Sequence, residues 1–378
     1  MSNPSPLYQR HDQADAMFMP FGDDCQVVAT HDIVQLEYAS LRKGVGVMDC
    51  PHRALLELTG DDRLDFLHRL LTNSCSDLTQ GKGTRAFMLE RTGRILSDMT
   101  VLHESNRTLL DVPLHQAAAV VEALDKYIFM DDVQVRDITS RMHRLSVLGE
   151  RAANLIVMAD DVEANEARID ELISADDFDH THYSIADASC IVYCDRECTS
   201  QGFQVWVPTA DVERVYDRLL EAGKDIPVRC IGWMSFNIVR IESGRPWFQV
   251  DYGTDSLPHE TGVLSDLVSF TKGCYTGQEV VARMESLGHA KKVVVAFRVT
   301  GSQLPASGTA ITDPNTADRK VVGGVTSSTL APMMSQMPIG FATVKWGFHE
   351  PGTKLLVPAE GTTVEIEVCE LSAITRST

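Results

Sequence analysis

The sequence predicts an α+β protein built from two related modules and a small C-terminal β-barrel. Three observations predict it. Two stretches repeat the same order of strand, Gly turn and helix, each followed by a second strand and helix. In both repeats a proline stands between that second strand and an amphipathic run. From about Lys291 onward the chain changes to short strand-like runs between Gly, Pro, Ser and Asn clusters.

In the first repeat, Leu56-Glu57-Leu58-Thr59-Gly60-Asp61 reads as a strand, a glycine turn and an acidic helix start, followed by Leu64, Phe66, Leu67, Leu70 and Leu71. Leu145-Ser146-Val147-Leu148-Gly149-Glu150 reads the same way, followed by Ala152, Leu155 and Ile156. The second landmarks are Leu109–Pro113 and Val205–Pro208. Ala117, Val120, Val121 and Leu124 follow the first proline, and Val212, Val215, Tyr216 and Leu219 follow the second. Each set forms one face of a helix. A proline fits a first helical turn because its missing N–H has no partner there. These units divide the chain into residues 1–140, 141–288 and 289–378. In the third, Val293–Val299, Val321–Val325, Ile339–Val344 and Val364–Val368 read as strands of a barrel or sandwich.

With 378 residues, the chain is long enough for two or three domains. Apolar content of 44% and charged content of 23% fit a soluble globular protein. No window is apolar enough to span a bilayer, and the start (Met1 to Pro6) lacks a basic, then apolar, leader, so a cytoplasmic location is expected. A net charge of −19 argues against a broad nucleic-acid surface. It leaves room for a local basic pocket, for which Lys272, Arg283, Lys291, Lys292 and Arg298 are close enough in sequence; a small polyanion would suit it.

The nine cysteines are an odd number, widely spread, which suggests free thiols. Cys190, Cys194 and Cys198 are evenly spaced, but Ile191-Val192-Tyr193 is strand-like. On one strand face Cys190 and Cys194 would stand about 13 Å apart, too far to share a metal ion, so no metal site is expected.

The segment with the most chemistry is Lys272-Gly273-Cys274-Tyr275-Thr276-Gly277-Gln278-Glu279. An ammonium beside Cys274 would favour its reactive thiolate. The apolar run that follows reads as a helix start, whose N–H groups also favour an anion. The alternative is a glycine-rich turn around a structural cysteine. No histidine is assigned to Cys274, although His259 and His289 are near in sequence.

This octapeptide resembles the signature of the YgfZ group of folate-binding proteins, within the superfamily of the glycine-cleavage T-protein (aminomethyltransferase). The resemblance continues through Arg240-Ile241-Glu242-Ser243-Gly244-Arg245-Pro246 and Leu257-Pro258-His259-Glu260. It implies a three-domain ring with tetrahydrofolate at its centre. It also implies a soluble accessory protein in iron–sulfur enzyme assembly or repair and tRNA modification, whose partners are assembly factors or client enzymes. Cys274 and Lys272 would then carry the chemistry, and Asp98, Gln204, Arg240, Glu242 and Tyr275 would belong to the folate site.

Arg240 and Glu242 read as part of a helix ended by Gly244, either as structural ion-pair residues or with Arg240 meeting an anionic ligand. Arg91 to Asp98 reads as a hairpin turning at Thr92-Gly93. T-proteins carry two adjacent aspartates in a related segment, the first being the catalytic carboxylate; those positions are Ser97 and Asp98 here. Where T-proteins read Gly-aromatic-Glu near the pterin, this chain has Gln204, with one acceptor and one donor group. Both departures weigh against the alternative function, a tetrahydrofolate-dependent aminomethyl- or other one-carbon transferase. Asp98 and the shared architecture weigh for it.

Overall fold

Strands form wherever the sequence alternates or runs apolar with β-branched residues, and the computed structural model arranges them in two sheets, a small ribbon and a barrel. It describes residues 5–375 apart from Asp24 and Glu197. Met1 to Pro4, part of the start searched above for a leader, lie outside the described residues. The chain divides into two units, residues 1–88 with 97–236, and residues 89–96 with 237–378.

The first unit holds a six-stranded sheet in the order His180–Ile185, Ala188–Cys194, Gly202–Pro208, Met142–Leu148, Val45–Asp49, Val228–Ile231. Its pairs are antiparallel except the last, where Val228–Ile231 runs parallel to Val45–Asp49. A five-stranded sheet follows the order Gly83–Leu89, Ile95–His103, Thr108–Pro113, Arg53–Thr59, Gln134–Asp137. Strand Val45–Asp49, early in the chain, therefore pairs in the sheet built mostly from residues after 141. The division at residues 140 and 288 goes forward as a proposed domain organisation.

In both repeats the four expected elements occur in order, with two further strands between the first helix and the second expected strand. Strands Arg53–Thr59 and Met142–Leu148 lead to helices Arg63–Leu70 and Ala152–Ala159. Strands Thr108–Pro113 and Gly202–Pro208 lead to helices Ala117–Asp125 and Val212–Ala222. The two prolines sit one step earlier than expected. Each is the last residue of its strand, in extended backbone, and a single 3-10 turn precedes the helix. The ring's fixed φ suits extended backbone, and its missing N–H stops the ladder.

Alternation decides what each sheet face meets. On the six-stranded sheet, Leu145, Val147, Phe203, Val205 and Val207 pack with Ala152–Ala159 and with Val215 and Leu219. On the opposite face, Ile191, Tyr193 and Trp206 pack against Leu55, Leu102 and Leu109 of the five-stranded sheet. The two sheets thus lie face to face across a shared inner layer.

In the second unit, six strands close a barrel in the order Lys292–Thr300, Met337–Lys345, Val321–Ala331, Ala310–Thr312, Lys354–Ala359, Thr362–Cys369. Four of them contain the expected runs; Ala310–Thr312 and Lys354–Ala359 are additional. Inward-facing Phe297, Val325, Val344, Val357 and Ile366 fill it. Closure leaves no unpaired edge. No helix among the described residues is long and apolar enough to cross a membrane.

Candidate functional site

The inner layer of the first unit is not wholly apolar. Asp111 stands opposite Thr100 on the neighbouring strand, and Leu109 opposite Leu102, so Asp111 shares the inner face with that leucine pair. On the facing sheet, Gln204 pairs with Ser146 and Trp206 with Arg144, which puts all four on the inner face. Asp111 is fully buried and saturated with donors. Its Oδ1 accepts from Arg53 Nε at 2.7 Å. Its Oδ2 accepts from Arg144 Nη1 at 2.8 Å, Tyr193 Oη at 2.8 Å and Trp206 Nε1 at 3.1 Å. Burial pushes this carboxyl up, but Arg144, Arg53 and the Tyr193 hydrogen bond outweigh it and hold it below its usual range.

Asp98 lies on the same strand as Thr100 and Leu102, two and four residues earlier, and so faces the same layer. It is buried, and its Oδ2 accepts from Arg85 Nη2 at 2.8 Å. Its Oδ1 is buried with no hydrogen-bond partner. A buried carboxylate oxygen left without a donor is costly and calls for an explanation. Ser97 lies on the opposite face of the strand, its Oγ donating to the Asp98 carbonyl at 2.7 Å. Of this adjacent pair, then, Asp98 carries the side chain that enters the inner layer.

Gln204 also enters the layer, and its amide makes three hydrogen bonds within the protein. Its Oε1 accepts from Arg144 Nε at 3.1 Å and from Ser146, and its Nε2 donates to Asp195 at 3.3 Å. The amide therefore bridges adjacent strands in the place where the sequence reading had it meeting a pterin.

A second buried carboxylate occupies the helix-side face. Asp49 accepts from His143 Nε2 at 2.5 Å, His11 Nε2 at 3.1 Å and Ser5 Oγ at 2.5 Å. Burial pushes it up, but the two histidines hold it well below the carboxylate range. Cys190 and Cys194 pack in the apolar core on this side, their thiols pushed up to about 12 by burial.

In the second unit, Arg240 and Glu242 lie on the helix Trp233–Glu242, and Gly244 follows with φ +70°. Arg240 is fully buried and donates from Nη1 to Asp251 at 2.7 Å, so its anionic partner is internal. Asp251 also accepts from Thr326, Ser327 and the Trp247 N–H, joining this helix to the barrel. The ion-pair partner of Arg240 is Asp251 rather than Glu242, and the arginine's Nη2 is buried with no hydrogen-bond partner. Glu242 is buried and accepts from the Met333 N–H at 3.4 Å.

Within the Lys-Gly-Cys segment, Gly277 has a φ of +82° and caps helix Gln278–Leu287. Cys274 is exposed. Tyr275 is buried, and burial pushes its hydroxyl up to about 12. The Lys272 ammonium sits over the Tyr275 ring, 5.3 Å from its centre. His259, near Cys274 in sequence, donates from Nε2 to Glu285 at 3.2 Å.

The sequence reading missed Asp111, Arg144, Arg85 and Asp49. For Asp111 a signal existed: one acidic residue inside the apolar strand Leu109-Leu110-Asp111-Val112.

Residues 7–272 match the GCVT N-terminal domain, and residues 292–373 match the glycine cleavage T-protein C-terminal barrel domain. The chain belongs to the glycine cleavage T-protein family. It is similar to the aminomethyltransferase of Caldanaerobacter subterraneus subsp. tengcongensis, at 24% identity over 93% of this chain and 91% of that one. A chloroplastic protein of Arabidopsis thaliana, named as a candidate transferase, is 26% identical over 86% of this chain and 72% of its own. The crystal structure of the glycine cleavage system aminomethyltransferase T from Bartonella henselae shares the fold, with a TM-score of 0.86 at 20% identity, covering 100% of this chain and 99% of that one.

Proposed function

We propose that the protein binds tetrahydrofolate and acts as a folate-dependent one-carbon transferase of the aminomethyltransferase type. The observation that carries this reading is the unpartnered buried oxygen of Asp98. Such an oxygen suits an N–H donor or a cationic nitrogen, the groups that a reduced folate and its one-carbon adducts present. Arg85, on the other oxygen, orients the carboxylate. The saturated network at Asp111 holds the two sheets in register behind it. Family membership and the aminomethyltransferase relatives support the same reading.

One observation favours a second reading. Of the nine free cysteines, Cys274 is the exposed one, and it stands in the octapeptide that resembles the YgfZ signature. In that reading the folate-bound protein serves iron–sulfur enzyme assembly and tRNA modification, and Cys274 makes a transient adduct with a client.

Anaerobic calorimetry with tetrahydrofolate, paired with turnover of aminomethylated H-protein, tests both. Binding with turnover that collapses in Asp98→Asn supports the transferase. Binding without turnover favours the accessory role. Absence of binding defeats both.

A further inference from the structure

Three of the basic residues grouped in the sequence, Arg283, Lys291 and Lys292, meet around a cavity of about 1300 Å3. Every residue lining it belongs to the second unit. The other two stand elsewhere: Lys272 lies over Tyr275, and Arg298 donates to the carbonyls of Ile374 and Ala373.

The cavity surface is mostly apolar, with Met284, Leu257 and the half-exposed Val321 among its side chains. Gly324 leaves one stretch as bare strand backbone: a Cβ there would meet nothing nearer than the Thr309 carbonyl at 3.7 Å. The glycine therefore leaves open space that a larger residue would fill.

Its cations differ in how they are satisfied. Lys292 is paired with Asp255 at 2.7 Å, and Lys345 donates to the Val321 carbonyl at 2.9 Å. Among the described residues, Arg283 and Lys291 form no ion pair. In a chain of net charge −19, two cations facing a cavity without acidic partners mark a place prepared for an external anion. Glu260, also lining the cavity, is buried, and burial pushes its carboxyl up, which reduces its repulsion of such an anion.

We propose that this cavity binds an amphipathic organic anion, with a flat apolar body against Gly324 and Met284 and its anionic groups at Arg283 and Lys291. The site shares no residue with the layer around Asp98 and Asp111, and it does not depend on the folate reading. The anionic groups can be carboxylates or a phosphate, and the test separates them.

The test is calorimetry on the full-length protein at low salt with three compounds. N-benzoyl-diglutamate offers a ring with carboxylates, adenosine 5′-monophosphate a ring with a phosphate, and diglutamate carboxylates with no ring. One ring-bearing compound should bind, and diglutamate should bind about tenfold more weakly than its benzoyl form if carboxylates are recognised. Arg283→Ala combined with Lys291→Ala should weaken the ring-bearing compound about tenfold or more, and added salt should weaken it too. Both substitutions are at exposed positions, so folding should be retained. Asp98→Asn should leave this binding unchanged, which separates the cavity from the first unit's site. Failure of both ring-bearing compounds to bind at about 10 mM overturns the proposal. So does affinity that the double substitution leaves unmoved, or that Asp98→Asn abolishes.

Discussion

Asp111 and Asp98 share one face of one sheet, yet they are treated in opposite ways. Asp111 receives four side-chain donors across its two oxygens. Asp98 has Arg85 on one oxygen and nothing on the other. A saturated buried carboxylate has no capacity left for a ligand, so it fixes structure. An unsaturated one keeps a buried acceptor that a donor from a ligand can satisfy. The difference separates scaffold from site within one layer.

The largest expected effect falls on the scaffold end. Asp111→Asn removes the charge between Arg53 and Arg144, whose side chains are 9% and 5% exposed, and leaves them facing each other. Breaking such a buried pair should destabilise the protein by about 3–5 kcal/mol, measured by urea unfolding. A loss under about 1 kcal/mol would mean that water already relieves these charges and that the contrast with Asp98 is false.

Asp98→Asn should do the reverse. The amide keeps the shape and one acceptor, so stability should move by less than about 1 kcal/mol. Transferase turnover should fall about 10²- to 10³-fold, because the group that accepts or holds a proton is lost. Large destabilisation with unchanged turnover would make Asp98 scaffold like Asp111.

Acid should strain the first unit in two stages. Burial lowers the His31 imidazole to about 4, with the nearby His11 adding to the effect, and burial holds His52 well below its usual value. The unfolded chain then takes up these protons first, so stability is lost as pH falls from about 6.5 towards 4. Roughly 3 kcal/mol is expected from His31, and His31→Gln should flatten that segment of the stability–pH curve. The depressed carboxyl of Asp111 acts later: its contribution is full above about 4 and is lost as pH falls through its lower folded value.

Much of this fold was legible because period and punctuation are local. The paired prolines, the helix faces after them and the Thr92-Gly93 hairpin all follow from spacing within a dozen or so residues. The place of Ser97 and Asp98 beside the hairpin was legible too, but not that Asp98 has one buried oxygen without a partner. The donors to Asp111 were not, because they lie 33 to 95 residues away: Arg53 meets it across a strand pair, and Arg144, Tyr193 and Trp206 only once two sheets stack. Gln204 shows the same limit from the other side. Its position on the strand was readable, but its occupation by Arg144 and Ser146 depends on the neighbouring strand. Arg240 was read as helical, but its pairing with Asp251, in the segment after the helix, was not visible in the sequence.

The smallest stability effect should come from Cys274, and there its smallness is informative. The side chain is exposed, whereas Cys190 and Cys194 are packed in the core with thiols pushed up to about 12. Cys274→Ser should therefore change unfolding free energy by no more than about 0.5 kcal/mol. Tetrahydrofolate affinity should also hold. If transfer is the whole function, turnover in vitro should persist as well. Loss of complementation in a deletion strain, with folding, folate binding and turnover all intact, would then assign Cys274 a task that Asp98 does not perform. Full complementation would leave Asp98 as the reactive centre and reduce the octapeptide to a glycine-capped turn that starts helix Gln278–Leu287.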